Sequence, residues 1–215
     1  MGAEIMTNIQ LFIDKNRISP YAMSVYVALK EKGLSFDETM VDLDNKENKL
    51  LNYGSICLSE KVPCLQINDN FTLFESLAIT EFLENKFINN GFENIYPVDI
   101  CGRAICCAIQ SVVKTDFLQI KKEMPSITVF ERQQHNPNWS TDLEKEINRL
   151  IRLAEFYIKE QWIAEKWSIA DFDLSFMLNR LIQNQIVVPE KLMDYVERNW
   201  QRHSIQSWLA VRNSK

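Results

Sequence analysis

The chain has 215 residues, 46% hydrophobic and 25% charged, the balance of a globular protein with enough apolar surface for a sizeable core. Twenty-four basic against 29 acidic residues give a net charge of −5, which argues against any general attraction to nucleic acid or anionic membrane. No apolar run reaches the ~18 residues of a membrane span, the N-terminus lacks the basic and apolar regions of a signal peptide, and Gly2 has Met6 where an acylation motif wants Ser or Thr.

Residues 9–13 read as a strand and 14–19 as a loop. A helix is predicted over 20–32, with Val25, Ala28 and Leu29 on one face and Gly33 as its stop. A second strand is predicted over 35–43, followed by a polar, lysine-rich stretch to residue 59 holding a short helix. Pro63 then opens a short strand, Asn68, Asp69 and Asn70 reverse it, and a second strand from Thr72 runs into a helix that starts at Glu75 and Ser76. This order predicts a mixed sheet with helices on its faces over residues 1–88. Residues 89–97 read as a turn-rich linker. Beyond it only helices are predicted: 99–122, 141–161 with Leu143, Ile147, Leu150, Ile151, Ala154 and Ile158 at helical spacing, 168–184, and 189–212, with an irregular excursion over 125–138. The fold class is therefore a small α/β domain, 1–88, joined to an all-α domain, 99–215. Ser168 and Asp171 have capping-box spacing, with Trp167 and Phe172 as a hydrophobic staple, a device that folds the helix and does no chemistry.

The unit around Pro63 suits a peptide-like ligand. The chain beside the proline offers backbone groups to an extended peptide, and the helix start offers unpaired N–H groups to a carboxylate. A small peptide with a free carboxylate fits both. Each residue also has a purely structural use. Ser19 precedes Pro20 at a helix start and reads as an N-cap. Pro63 can open a strand in the trans form. Glu75 and Ser76 can simply cap. Lys61, Lys49 and Lys46 can form a solvated face or meet a carboxylate. The five cysteines, Cys57, Cys64, Cys101, Cys106 and Cys107, read as reduced, buried thiols of a cytoplasmic protein. Neither they nor His135 and His203 have metal-ligand spacing, so no metal is expected. Phe12, Ile18, Val112, Phe117 and Phe130 can line an apolar pocket or serve as ordinary core.

The layout resembles the glutathione transferase superfamily, a thioredoxin-like domain followed by a helical one, over nearly the whole chain. Val62 and Pro63 match the family's cis-proline, Glu75 and Ser76 its γ-glutamyl site, and the residues from Ser168 to Asp171 its capping box. Ser19, Pro20 and Tyr21, residues 27–36 and residues 199–202 look most like a bacterial, serine-using, YfcF-like branch. The resemblance implies that Ser19 donates a hydrogen bond to the sulfur of glutathione, the co-substrate. It implies that Val62, Pro63, Glu75 and Ser76 hold the peptide, and that a cation, with Lys61 a candidate, meets the glycine carboxylate. The expected activity is transfer of glutathione to, or reduction of, a small electrophile that enters from the helical domain, a detoxifying reaction. The chain has Ser19 and Ala22 where redox relatives carry Cys-x-x-Cys, so dithiol chemistry there is not expected. Tyr21 is the runner-up donor, since no tyrosine ends the first strand. A homodimer in the cytoplasm, with neither nucleic acid nor membrane as partner, is the expected state. The alternatives are a glutathione-dependent isomerase or dehalogenase, or a non-catalytic binding module of the same fold.

Overall fold

A computed structural model describes residues 8–88, 91–131 and 139–214; Gly2, Met6 and His135 lie outside them. The chain divides into two compact units, Met1–Glu93 with Val211–Lys215, and Asn94–Ala210.

The first unit contains, in order, β1 (Ile9–Asp14), α1 (Pro20–Glu31), β2 (Asp37–Val41), a 3-10 turn (Glu47–Lys49), α2 (Leu51–Ile56), β3 (Cys64–Ile67), β4 (Phe71–Phe74) and α3 (Ser76–Lys86). The sheet order is β2-β1-β3-β4, with β1 parallel to β2 and the other two pairs antiparallel. This is the thioredoxin-like mixed sheet that the element order predicts. The pleat of β1 sends Ile9, Leu11 and Ile13 to one face and Phe12 to the other. On its face Phe12 clusters with Val41, Tyr53, Cys57 and Cys64. Every residue of α1 from Ala22 to Leu29 is buried, so this helix is enclosed on more sides than the single stripe Val25, Ala28 and Leu29 suggests. It ends in a Schellman motif. Gly33, at φ 71, donates to the Lys30 carbonyl and Leu34 to the Leu29 carbonyl, a left-handed turn that glycine makes without strain. Lys32 and Glu84 form a buried ion pair at 2.7 Å that ties the end of α1 to α3. The β3–β4 reversal uses two consecutive left-handed residues, Asn68 and Asp69, types that tolerate this backbone.

The second unit holds α4 (Ile100–Thr115), α5 (Leu118–Glu123), a 3-10 turn (Ser126–Val129), α6 (Thr141–Tyr157), α7 (Ile169–Gln183), α8 (Glu190–Trp200) and most of α9 (His203–Asn213). One apolar cluster runs through it, including Ile109, Val113, Ile147, Leu150, Leu178 and Tyr195. Three helix expectations are corrected. The stretch 99–122 is two helices, because Phe117 takes a left-handed φ of 56 that interrupts the ladder; its ring is buried in the core. The helix from Thr141 stops at Tyr157, where Ile158 turns extended and is fully buried. The stretch 189–212 breaks after Trp200, and Arg202 at the break stacks its guanidinium over Trp167 at 4.1 Å. The cysteines also differ from expectation: Cys101 is exposed and Cys107 half-buried, while Cys57, Cys64 and Cys106 are buried.

Both bonds of the capping box are present at Ser168 and Asp171. The buried Asp171 carboxylate also accepts from the Ile163 N–H and the Tyr195 hydroxyl, each at 2.9 Å. Burial pushes its pKa up to about 6 against the pull of these hydrogen bonds. Among the described residues no helix is long and apolar enough to cross a membrane.

Candidate functional site at one end of the sheet

Strand register brings the candidates together. Phe12 of β1 lies opposite Cys64 of β3, and Cys64 lies opposite Phe74 of β4. Asp14 at the end of β1 lies opposite Val41 at the end of parallel β2. One step past this line come the loop from Asp14 to Ser19, the segment of Lys61, Val62 and Pro63 that enters β3, and Glu75 with Ser76 where β4 becomes α3. All therefore sit at one end of the sheet. From β1 to β4 is two strand spacings, about 10 Å, close to the reach of ~3 extended residues.

The peptide bond between Val62 and Pro63 is cis. Two groups brace this segment from below: the Tyr53 hydroxyl donates to the Lys61 carbonyl at 2.5 Å, and Val62 packs on the cluster of Phe12, Tyr53 and Cys64. Burial pushes the Cys64 thiol well up, so that it stays protonated beside the proline. At the third corner, Glu75 is the N-cap of α3 with φ 69 and ψ 114, and its side chain makes no capping bond. The exposed end of that helix thus has N–H groups without a side-chain cap, beside a buried Ser76. A non-glycine residue in this backbone region carries strain of ~1–3 kcal/mol, the kind retained at ligand clamps.

Ser19 is half-buried and caps α1, its hydroxyl oxygen accepting from the Ala22 N–H at 3.3 Å. A serine hydroxyl accepts and donates at once, so this cap leaves its proton free to donate. Structural and chemical uses of Ser19 are compatible. The Asp14 carboxylate accepts from the backbone N–H groups of Ile18 at 2.6 Å and Ser19 at 3.2 Å. Burial raises its pKa, opposed by those two bonds and by the Arg17 charge. Tyr21 is half-buried on α1.

Of the three lysines, Lys49 is held by Glu60 at 2.5 Å. Lys61 and Lys46 are exposed and have no ion pair among the described residues. The apolar candidates are divided between the two units. Phe12 and Phe117 belong to different core clusters, Val112 packs partly against that of Phe117, and Phe130 meets Phe176 edge-on at 5.9 Å. Sequence reasoning did not single out Asp14 or Tyr53. Asp14 had a legible signal, an acidic residue four and five positions before two loop amides. Tyr53 had none, since its role depends on the fold of residues 57–63 over it.

Comparison with known proteins agrees with this architecture. Residues 18–86 match the model of the glutathione S-transferase N-terminal domain and residues 99–214 that of the C-terminal domain. A crystal structure of a glutathione transferase homolog from Burkholderia gl BGR1, with bound glutathione, superimposes with a TM-score of 0.78. It is 31% identical, with 96% of this chain and 98% of that one covered. Glutathione S-transferase U28 of Arabidopsis thaliana is 41% identical over 86 residues, 40% of this chain and 36% of that protein. The match to the plant relatives thus spans only about a third of their length. Stringent starvation protein A homolog of Histophilus somni is 24% identical over 204 residues, 90% of this chain and 86% of that one. With both domain models matched in order over most of its length, the chain belongs to the glutathione S-transferase family.

Proposed function

We propose that this protein is a glutathione transferase of the serine-using kind, resembling the bacterial YfcF-like branch. Glutathione would lie across the end of the sheet, its γ-glutamyl carboxylate on Ser76 and the start of α3, its ammonium toward Glu75, its backbone against Val62 beside Pro63, and its glycine carboxylate toward Lys61. Ser19 would donate its hydroxyl proton as a hydrogen bond to the sulfur. The observation that carries this reading is the convergence of Ser19, Val62, Pro63, Glu75 and Ser76 at one sheet end, on a span that fits a short peptide.

The energetics are adequate. A free thiol has a pKa of ~8.5, so only a few per cent is thiolate at neutral pH. Lowering it by about two units needs ~2.7 kcal/mol of preference for the anion. One hydrogen bond to a charged group supplies ~1.5–3 kcal/mol, and the N-terminus of α1 adds ~0.3–1 kcal/mol. The thiolate then attacks the electrophile. A carbon–sulfur bond forms, and the leaving group departs with the electron pair of the bond that breaks. The electrophile pocket falls to the helical domain on this reading, and a cytoplasmic homodimer is the working form.

Calorimetry with glutathione on the wild type and on the Glu75→Ala, Ser76→Ala double variant tests the binding half. The expected result is micromolar-to-millimolar binding in the first and loss in the second, and equal affinity removes both residues from the site. A thiol-conjugation assay with an aryl halide tests the reaction. A second reading, a non-catalytic glutathione-binding module, is favoured by one observation: the relative matched over nine-tenths of the chain has a name that is not a transferase's. Binding without turnover on any of several electrophiles would support it.

A further inference from the structure

We propose that Asp14 is the positioning residue of Ser19, holding the hydroxyl where the sulfur of glutathione would lie; this rests on the reading of Ser19 as the thiolate donor. Three consecutive backbone amides converge on this one residue. The Arg17 N–H donates to the Asp14 carbonyl at 3.0 Å, the Ile18 N–H to Oδ2 at 2.6 Å and the Ser19 N–H to Oδ1 at 3.2 Å. Arg17 takes a left-handed φ of 51 to make this possible. Successive amides curled in this way form an anion-binding concavity. Here the chain fills its own concavity with a side-chain carboxylate that is only 2% exposed.

Burying a carboxylate to that degree is unfavourable unless hydrogen bonds and a nearby charge compensate, and the two amides and the Arg17 charge offset part of that cost. What the arrangement achieves is local. The outer part of the loop has its own anchors: the Lys15 N–H to the Val41 carbonyl at 2.9 Å, Lys15 to Asp42 and Asn16 to Asp44, each at 2.8 Å. Those hold residues 15 and 16 against β2, and the Arg17 guanidinium pairs with Glu38 of β2, but none of these contacts bonds the Ser19 N–H. Asp14 holds the Ser19 N–H from the sheet side, while the Ala22 N–H holds its hydroxyl from the helix side. Both oxygens are engaged, so an asparagine retains at most one oxygen acceptor and an alanine none. The direction of one hydroxyl proton matters most where charge builds up, because a donor displaced by about 1 Å loses much of its effect on an anion.

The experiment compares Asp14→Ala, Asp14→Asn and Ser19→Ala with the wild type. Two readouts are taken: the pH midpoint of the thiolate absorbance of bound glutathione, and the affinity for S-methylglutathione, which has no thiol. For Asp14→Ala the midpoint is expected to rise by about one pH unit, with kcat down about tenfold and S-methylglutathione affinity within about threefold of wild type. Formate, small enough to enter the vacated concavity, is expected to move the midpoint back toward the wild-type value. Asp14→Asn, which keeps the volume and serves if the alanine variant does not fold, is expected to fall between. If Ser19→Ala shifts the midpoint and neither Asp14 variant does, Asp14 only anchors the loop and the proposal is overturned. An Asp14 variant that loses S-methylglutathione affinity and thiolate stabilisation in equal measure overturns it too, since that is general disorder of the site. If Ser19→Ala itself titrates like the wild type, the reading of Ser19 fails first, and the positioning role goes with it.

Discussion

The two units treat unfavourable structure in opposite ways. The sheet unit keeps much of it in the backbone. Of the eight non-glycine residues with positive φ among the described residues, six lie there: Arg17, Lys46, Glu60, Asn68, Asp69 and Glu75. Arg17 and Glu75 flank the two helix starts at the end of the sheet where the candidate site lies. The helical unit has only Phe117 and Gln185 in that state. The sheet unit buries Lys32 with Glu84, and Asp14 and Arg17 beside its strained loop, whereas the helical unit carries a larger buried polar network. Its central helix α7 is buried from Ile169 to Leu181. Asp173 accepts from Gln110 at 2.6 Å and pairs with Lys114 at 2.7 Å, and Arg180 donates to the Met124 carbonyl at 2.6 Å. Backbone strain can be released or used when a ligand arrives. A hydrogen-bonded buried network restricts packing and resists change. On the proposed reading, ligand handling falls to the first unit and permanence to the second, a contrast that mutation can break.

The largest expected effect is in the network. Asp171→Ala removes the acceptor used by the Ser168 amide and hydroxyl, the Ile163 amide and the Tyr195 hydroxyl. Each buried group left unpaired costs ~1–3 kcal/mol, so a loss of at least about 3 kcal/mol in urea unfolding is expected, with glutathione affinity of the folded protein unchanged. The same carboxylate gives a pH signature. Its folded pKa, about 6, is raised from 3.8 by burial first of all. The folded state therefore holds this proton more tightly than the unfolded chain does, and the associated stability is full below about pH 4 and lost as pH rises through 6. The difference between wild type and Asp171→Asn should narrow or change in that direction over the window. A difference flat from pH 4 to 7 would show that Asp171 titrates normally.

At the strained end the opposite signature is expected. Glu75→Gly relieves φ 69 and should raise stability by about 1 kcal/mol, since glycine adopts this region freely. Glutathione affinity should fall about tenfold, the equivalent of one charged contact of ~1.4 kcal/mol. A variant both less stable and equally tight in binding would mean that Glu75 is a structural cap and that the contrast between the units is accidental.

How far the sequence alone goes divides along the same line. The mixed sheet, the helix α1, the Gly33 stop and the capping box at Ser168 follow from element order and local signals, and those signals agree with the final packing; the strand order and the full enclosure of α1 do not follow from them. Nor do the breaks at Phe117 and after Trp200. A buried aromatic in a left-handed turn, and an arginine stacked on a distant tryptophan, are decided by tertiary contact, which outweighs helix propensity. Among the candidate site residues, Ser19, Pro63, Glu75 and Ser76 stand out in the sequence because capping residues and prolines declare themselves locally. That they share one sheet end follows only from the register of three strands. Tyr53 was not legible because its role depends on the fold of residues 57–63 over it, whereas Asp14 carried a legible spacing before two loop amides.

The smallest effect concerns charge at the rim, where neither strain nor burial helps. Lys61 is exposed and Lys49 is already paired with Glu60. Exposed ion pairs contribute ~0.2–1 kcal/mol, so Lys61→Ala should weaken glutathione binding about threefold at low salt. The difference should vanish in ~1 M salt, where the screening length is only ~3 Å. Lys49→Ala should change nothing, because the charge it removes is committed to Glu60. A glutathione monoester blocked at the glycine carboxylate separates charge from shape: it should bind wild type and Lys61→Ala alike. If instead Lys49→Ala weakens binding and Lys61→Ala does not, the pair with Glu60 opens when the ligand arrives. The sheet unit would then adapt through its side chains as well as its backbone.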